Sequence, residues 1–157
     1  MRIPPIKRTL IDLDDFDNGH WKFPEQLMID YSGFIYVIRD NILRRFYLGK
    51  KTFRHQRGQN KGKEMPGWRK YKSSSPLLKE LFAVRPIYDE FEFIVLEQYK
   101  TKGTLSYGET WTLCHVEAPT NLTWYNTRIE KVSWPVKEGI SERHKDRLSD
   151  VINMRTM

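Results

Sequence analysis

Gly33-Phe34-Ile35-Tyr36-Val37-Ile38-Arg39-Asp40-Asn41 and, a few residues on, Arg45-Phe46-Tyr47-Leu48-Gly49-Lys50 decide how this chain is read. Phe34 to Ile38 is an unbroken apolar and aromatic run, the pattern of a strand buried on both faces. Arg39-Asp40-Asn41 reads as a turn, and Arg45 to Gly49 as the return strand of a hairpin. An even-numbered loop puts Tyr36 and Tyr47 on one face as opposed or diagonal neighbours, roughly 4.5 to 8 Å apart. An odd loop separates them.

Tyrosines in a hairpin are ordinarily packing residues. The surroundings of this pair are unusual in charge. The whole chain carries +7, yet Arg44 to Lys72 holds eleven Lys or Arg against one acid, Glu64, a local +10 that leaves −3 for the rest. Cations gathered beside one strand are what a phosphate-binding face requires. The candidate nucleic-acid contacts are Lys50, Lys51, Arg54, Arg57, Lys61, Lys63, Arg69, Lys70 and Lys72. Phe53, Trp68 and Tyr71 lie among them, placed either to stack on a base or sugar or to anchor the loop.

Outward from the hairpin, residues 1 to 30 read as an irregular lead-in broken by Pro4, Pro5 and Pro24. Its acidic cluster, Asp12, Asp14, Asp15 and Asp17, is a turn and not a calcium loop, because no register puts oxygen ligands at positions one, three and five with glycine at six. Residues 54 to 67 form a long polar loop, a length usually functional or disordered in a compact domain. Ser75-Pro76 starts a helix, with serine as cap and proline in the first turn. Phe91 to Leu96 is a third strand. A second helix is expected from about Tyr107 to Val116, with Leu113, Cys114 and Val116 facing the core. A last helix begins near Ser141, with Leu148, Val151 and Ile152 on one stripe. The sum is an α+β domain: an antiparallel sheet of at least three strands flanked by helices.

At 157 residues the chain has room for one main domain with tails, expected as a lead-in over 1–30, a domain over 31–135 and a C-terminal helix over 136–157. No apolar run approaches a membrane span and the start lacks a secretory apolar segment, so the expectation is a cytoplasmic protein with no membrane association. The lone Cys114 excludes an internal disulfide and a multi-cysteine zinc site, and reads as a small buried hydrophobe.

Taken in order, Gly33-Phe34-Ile35-Tyr36, Tyr47-Leu48-Gly49, a later Glu109 and Tyr125-Asn126 resemble the GIY-YIG nuclease domain. The basic loop leading to Trp68-Arg69-Lys70-Tyr71 and the Ser73-Ser74-Ser75 helix start is similar to its phage-borne, homing-endonuclease-like branch. The resemblance implies a metal-dependent DNA endonuclease, in a homing or host-DNA-cutting role, acting on double-stranded DNA in the host-cell cytoplasm without an obligate protein partner. It makes Glu109 the ligand of one divalent ion, Mg2+ or Mn2+. It makes Tyr36 or Tyr47 the residue that handles the attacking water, Asn126 a polar residue that orients the site, and Lys50 a matching lysine.

The family also places an arginine on a helix after the hairpin, often with a histidine beyond it. Here the pattern departs: Arg54, Arg57 and Arg69 are the candidates, His55 is nearby, and Arg69 is favoured for its place beside Trp68. The chemistry fits these types, since phosphodiester hydrolysis needs an activated water, neutralised phosphoryl oxygens and help for the leaving alkoxide. A tyrosine with its ordinary pKa near 10 is only about one part in a thousand phenolate at pH 7. A nearby cation such as Lys50 would have to favour the ionised form.

Other readings stand beside this one. Ser106-x-x-Glu109 is also a capping box, which would tie Glu109 to a helix start. Residues 139 to 150 resemble the short modular DNA-binding motif found behind such nuclease domains, or form an ordinary amphipathic helix. The alternative functions are a non-catalytic nucleic-acid-binding module of the same fold, and an RNA-binding domain using the same basic face.

Overall fold

Every residue of β1 (Gly33–Asp40) is buried, which places it in the middle of the molecule. It pairs antiparallel with β2 (Arg45–Thr52) on one side and β3 (Phe91–Tyr99) on the other, in the order β2-β1-β3. The protein is described by a computed structural model over residues 16–129 and 131–156. Pro4, Pro5 and the acidic residues Asp12, Asp14 and Asp15 lie outside the described residues, whereas Asp17 is described and ion-paired to Arg69 at 2.9 Å.

The two faces of the sheet carry separate cores. Phe34, Tyr36 and Ile38 pack with Phe93, Val95, Phe53, Trp21 and Trp68, closed by Leu78 of α1 (Pro76–Val84). Here Trp21, Phe34, Phe53 and Trp68 form a chain of tilted and edge-on rings, with centroids 5.0, 5.4 and 5.1 Å apart in turn. Each such pair is worth about 0.5–1.5 kcal/mol beyond the area it buries. Ile35, Val37, Leu48, Ile94 and Leu96 fill the other face against Leu105 and Leu113 of α2 (Lys102–His115) and Leu148 and Val151 of α3 (Glu142–Ile152).

The hairpin has the predicted parity. Its loop is Asn41 to Arg44, and the register sets Tyr36 opposite Gly49 and Ile38 opposite Tyr47, so the tyrosines are diagonal neighbours on one face. The turn is later than expected, because Arg39 and Asp40 belong to the strand. Arg39 is 3% exposed and donates to Glu92 Oε1 at 2.8 Å and to Asn41 Oδ1 at 2.9 Å. Asp40, fully buried, accepts from Ile42 N and Leu43 N, both at 3.0 Å, from Arg85 through two nitrogens at 2.7 and 2.8 Å, and from the Tyr125 hydroxyl at 2.9 Å. Burial alone would raise this carboxyl; Arg85 and the other donors outweigh it and hold the pKa at about 2.

Three further elements depart from the expectation. β3 continues to Tyr99, past the polar pair Glu97-Gln98, because a bulge between the partners of Ile35 and Tyr36 leaves Leu96 as an extra residue. The added residue turns Glu97 and Tyr99 toward α3. α2 starts at Lys102, capped by Thr101, whose side chain accepts from Thr104 N; Gly103 and Gly108, poor helix formers, hide its first half in the sequence. That removes the capping-box reading, since Ser106 lies inside the helix. Cys114 is exposed, not buried, because the core face of α2 runs through Leu105, Gly108, Thr112 and Leu113 and the next position turns about 100° away from it; Leu113 does face the core, and Val116 is half-buried beside it.

At the C-terminus, α3 is capped by Ser141, which accepts from His144 N at 3.0 Å. Leu148 and Val151 are buried while Ile152 is 39% exposed, so the expected stripe is two residues plus His144. The polar 54–65 segment is closed on itself by Arg54 pairing with Glu64 and by His55 N to Lys63 O at 2.9 Å. Phe53 and Trp68, both 0% exposed, root its two ends in the core, so these rings anchor the loop and are not surfaces for stacking. Among the described residues no helix is long and apolar enough to cross a membrane.

Two outcomes test this framework. Asp40→Ala, which leaves the half-buried Arg85 guanidinium, the Tyr125 hydroxyl and two loop amides without their acceptor, is expected to cost about 3–5 kcal/mol in urea unfolding; a loss under 1 kcal/mol would show that the turn does not depend on it. Buried His144 sits between the Tyr99 hydroxyl at 2.9 Å and Thr112 Oγ1 at 2.8 Å, and burial, helped by Lys145, lowers its pKa to about 4. The unfolded chain then binds more protons between about pH 6.5 and 4, so stability is complete above that window and falls as pH drops through it. In His144→Gln the fall is expected to be shallower by up to about 1.4 kcal/mol per pH unit, and parallel curves for the two proteins would remove His144 from the account.

Candidate active site

β2 is an edge strand, so side chains from both faces of the sheet can meet around it. Tyr36 and Tyr47 come from one face, their ring centroids 6.4 Å apart. Leu48 and Lys50 point to the other, where α2 brings Ser106 and Glu109. Lys50 Nζ donates to Ser106 Oγ at 2.8 Å and lies 3.9 Å from Glu109 Oε1. Once α2 begins at Lys102, Ser106 and Glu109 are three residues apart on one helical face, and both face Lys50.

The outer side of β2 is covered by the segment 123–126. Phe46 N donates to Thr123 O at 2.8 Å and Tyr125 N to Phe46 O at 2.7 Å. One step along, the Asn126 side chain does the work of a strand: its Oδ1 accepts from Leu48 N and its Nδ2 donates to Leu48 O, each at 2.8 Å. Tyr47, Ser74, Ser75, Glu109, Asn126 and Arg128 line a cleft of about 250 Å3 at this point. Arg128, two residues beyond Asn126, is the arginine in the cleft. The local sequence pattern does not single it out, because residues 126 to 129 have no regular structure.

Arg69, favoured from the sequence, is elsewhere. Its guanidinium is committed to Asp17 at 2.9 Å and Glu64 at 3.2 Å and stacks on the Trp68 ring. Arg54 also does structural work, donating to Ile29 O and Gly62 O and pairing with Asp30 at 3.5 Å. Arg57, Lys61 and Lys63 are exposed on the closed loop, and Lys70 and Lys72 are exposed beyond it. His55 is tied through its backbone to Lys63 and Gly62.

The two tyrosines differ in access. Tyr36 is 2% exposed, its ring packed over Gly49: a β-carbon there would collide with the phenol oxygen and ring, which is why glycine stands in the second strand. Burial, aided by Tyr71 and Tyr47, drives the Tyr36 phenol well above its ordinary pKa. Half-buried Tyr47 is raised by burial too, and Ser73 and Arg128 oppose the rise. Lys50 is therefore not the cation that bears on Tyr47. Lys51 shares the tyrosine face but sits over the Tyr71 ring at 4.5 Å, its own pKa lowered by burial. Ser73, read from the sequence only as part of a helix start, holds a left-handed backbone at φ 83°; its hydroxyl accepts from Ser75 N at 3.0 Å and offsets part of the pKa rise of both phenols.

Among the described residues no three His, Cys, Asp or Glu gather as a metal cage. A lone carboxylate still suits Mg2+, which keeps several waters and is commonly held by one or two carboxylates together with substrate phosphates. Glu109, 12% exposed at its side chain and lining the cleft, meets that requirement.

A family model described as "Putative endonuclease segE, GIY-YIG domain" matches residues 18–129. That range includes the sheet, α1, α2 and all of the cleft. No curated protein matches the chain, and no solved structure does.

The fit of Tyr36 over Gly49 is open to a double-mutant cycle. Gly49→Ala is expected to cost about 1–3 kcal/mol by overpacking, and the cost should fall by about half or more where Tyr36→Leu has removed the ring. Additive losses in urea unfolding would place the strain outside this contact.

Proposed function

Because the chain belongs to the segE GIY-YIG endonuclease-domain family, we propose that it is a metal-dependent DNA endonuclease working beside the edge strand β2. The observation that carries this reading is the single cleft shared by Tyr47, Glu109, Asn126 and Arg128, with Lys50 beside it.

In the hydrolysis, a water oxygen bonds to phosphorus while the bond to the leaving sugar oxygen breaks. The water must lose a proton and the alkoxide must gain one. Tyr47, the more accessible phenol, is the residue suited to accept a hydrogen bond from that water. Tyr36 is too deeply buried to reach it and holds the geometry from beneath. Arg128 and Lys50 supply positive charge for the phosphoryl oxygens, a preorganised stabilisation that is often the largest part of catalysis. Arg128 takes the arginine role earlier given to Arg69. Glu109 is the residue that would hold Mg2+ or Mn2+, which when bound supplies Lewis-acid stabilisation of oxygen charge. Asn126 acts on the strand and not on the substrate: it fixes the Leu48 backbone between Tyr47 and Gly49.

Exposed Arg57, Lys61, Lys63, Lys70 and Lys72 are the residues of the basic segment best placed to meet duplex phosphates. Arg54 and Arg69 contribute through the loop that they brace. A homing or host-DNA-cutting role is consistent with the family and is part of the same proposal.

Plasmid nicking with magnesium or manganese tests the assignment. Glu109→Ala and Arg128→Ala are each expected to cut about a hundredfold or more slowly than the wild type, while Arg69→Ala stays within about tenfold once folded. Equal cutting by the wild type and Glu109→Ala would sink the site. No cutting by the wild type, with DNA binding that weakens steeply with salt, would identify a binding module instead.

A further inference from the structure

Lys50 borders a second cleft, of about 530 Å3, which Thr52 at the end of β2 also lines. Its cations come from three separate elements: Lys50 from β2, Arg57 and Lys61 from the closed basic loop, and Lys102 from the start of α2. None of the described residues lining it carries a carboxylate. The remaining wall includes Ser106 and Trp134.

Trp134 is 53% exposed, yet its segment is fastened. Lys137 N and Glu138 N both donate to the hydroxyl of fully buried Thr104, at 3.1 and 3.2 Å. Pro135 O lies so close to Gly103 that a β-carbon there would collide with it. Lys102 Nζ stands 5.2 Å from the indole centroid. A large ring held at the surface by buried anchors, with Lys102 beside it and Lys50, Arg57 and Lys61 lining the same cleft, is arranged as a stacking platform. The cleft lies within the roughly 300–1,000 Å3 range of small-ligand pockets, enough for a nucleotide and far too little for a duplex.

We propose that this cleft takes one unpaired nucleotide of the DNA strand being cut, its phosphates on Lys50, Arg57, Lys61 and Lys102 and its base on Trp134. Lys50 joins the two clefts, since the same ammonium that donates to Ser106 lies 3.9 Å from Glu109; the nucleotide is therefore a neighbour of the scissile one. A paired base cannot reach the indole without leaving its stack, so DNA that already carries an unpaired nucleotide is preferred over fully paired duplex. The inference rests on the nuclease reading for the identity of the polymer.

The test is fluorescence anisotropy in EDTA with three labelled probes: a paired duplex, the same duplex with one unpaired thymidine, and one with an unpaired abasic site. The wild type is expected to favour the unpaired thymidine by about tenfold, within the range of single-base stacking, and to lose that preference on the abasic probe. Trp134→Ala should lose it too while binding paired duplex as the wild type does, and Trp134→Phe should keep most of it. Equal affinity of the wild type for paired and unpaired probes, or an undiminished preference in Trp134→Ala, overturns the proposal. A Trp134-dependent preference in a protein that never nicks plasmid would support the cleft and refute the nuclease reading. Glu109-dependent nicking with no preference for the unpaired base would do the reverse.

Discussion

The buried carboxylate of Asp40 is the constraint from which most of this architecture follows. It ends β1, accepts the Ile42 and Leu43 amides of the hairpin loop, and binds the guanidinium of Arg85 at the end of α1 and the hydroxyl of Tyr125. A charge taken so far from water is tolerated only when its lone pairs are filled and its partner is close. Filling them pulls three distant stretches of chain to one point. The loop is thereby set at four residues between Asp40 and Arg45, and that number decides which way every side chain of β2 faces. Tyr125 brings Asn126 and Arg128 with it.

An edge strand is the right place for chemistry of this kind. A central strand could present only one face to any cleft, because its other groups are committed to neighbours on both sides. β2 has no strand beyond it, only the segment 123–126, so Tyr47 from the aromatic face and Glu109 from the α2 face border a common space. The asymmetry of the tyrosines follows from the same geometry. Tyr36, on the central strand, is roofed by aromatic rings and floored by Gly49, while Tyr47 on the edge keeps access to solvent.

Much of this was legible in the sequence where local pattern and tertiary role coincide. The all-apolar run at Phe34–Ile38 is a central strand, the parity of the hairpin holds, and Ser75, Pro76 and Ser141 mark helix starts through short-range capping. What escaped was set by contacts distant in sequence. Gly103 and Gly108 argue locally against a helix, but close packing in the tertiary structure overrides them, so the local pattern places the start of α2 five residues too late. Trp68 and Phe53 resembled stacking residues because they stand among lysines, yet they are the roots of the loop. Arg69 gained credit from its neighbour Trp68, while the ion pairs to Asp17 and Glu64 that hold it away depend on folding. Arg128, placed by a backbone segment with no regular structure of its own, left almost no trace in the local pattern.

Single residues also close the borders of the small sheet. Along β3, Lys22 N donates to Phe93 O and Val95 N donates to Lys22 O, and Arg147 Nε donates to Val95 O at 2.6 Å. Along β2, Asn126 occupies Leu48 in the same way. A three-stranded sheet with bare edges is a template for pairing with other chains, and proteins blunt such edges with charge and side-chain cover. Asn126 therefore guards against self-association as well as shaping the cleft. Losing it would expose backbone next to a strongly apolar strand, and the first symptom in solution would be aggregation.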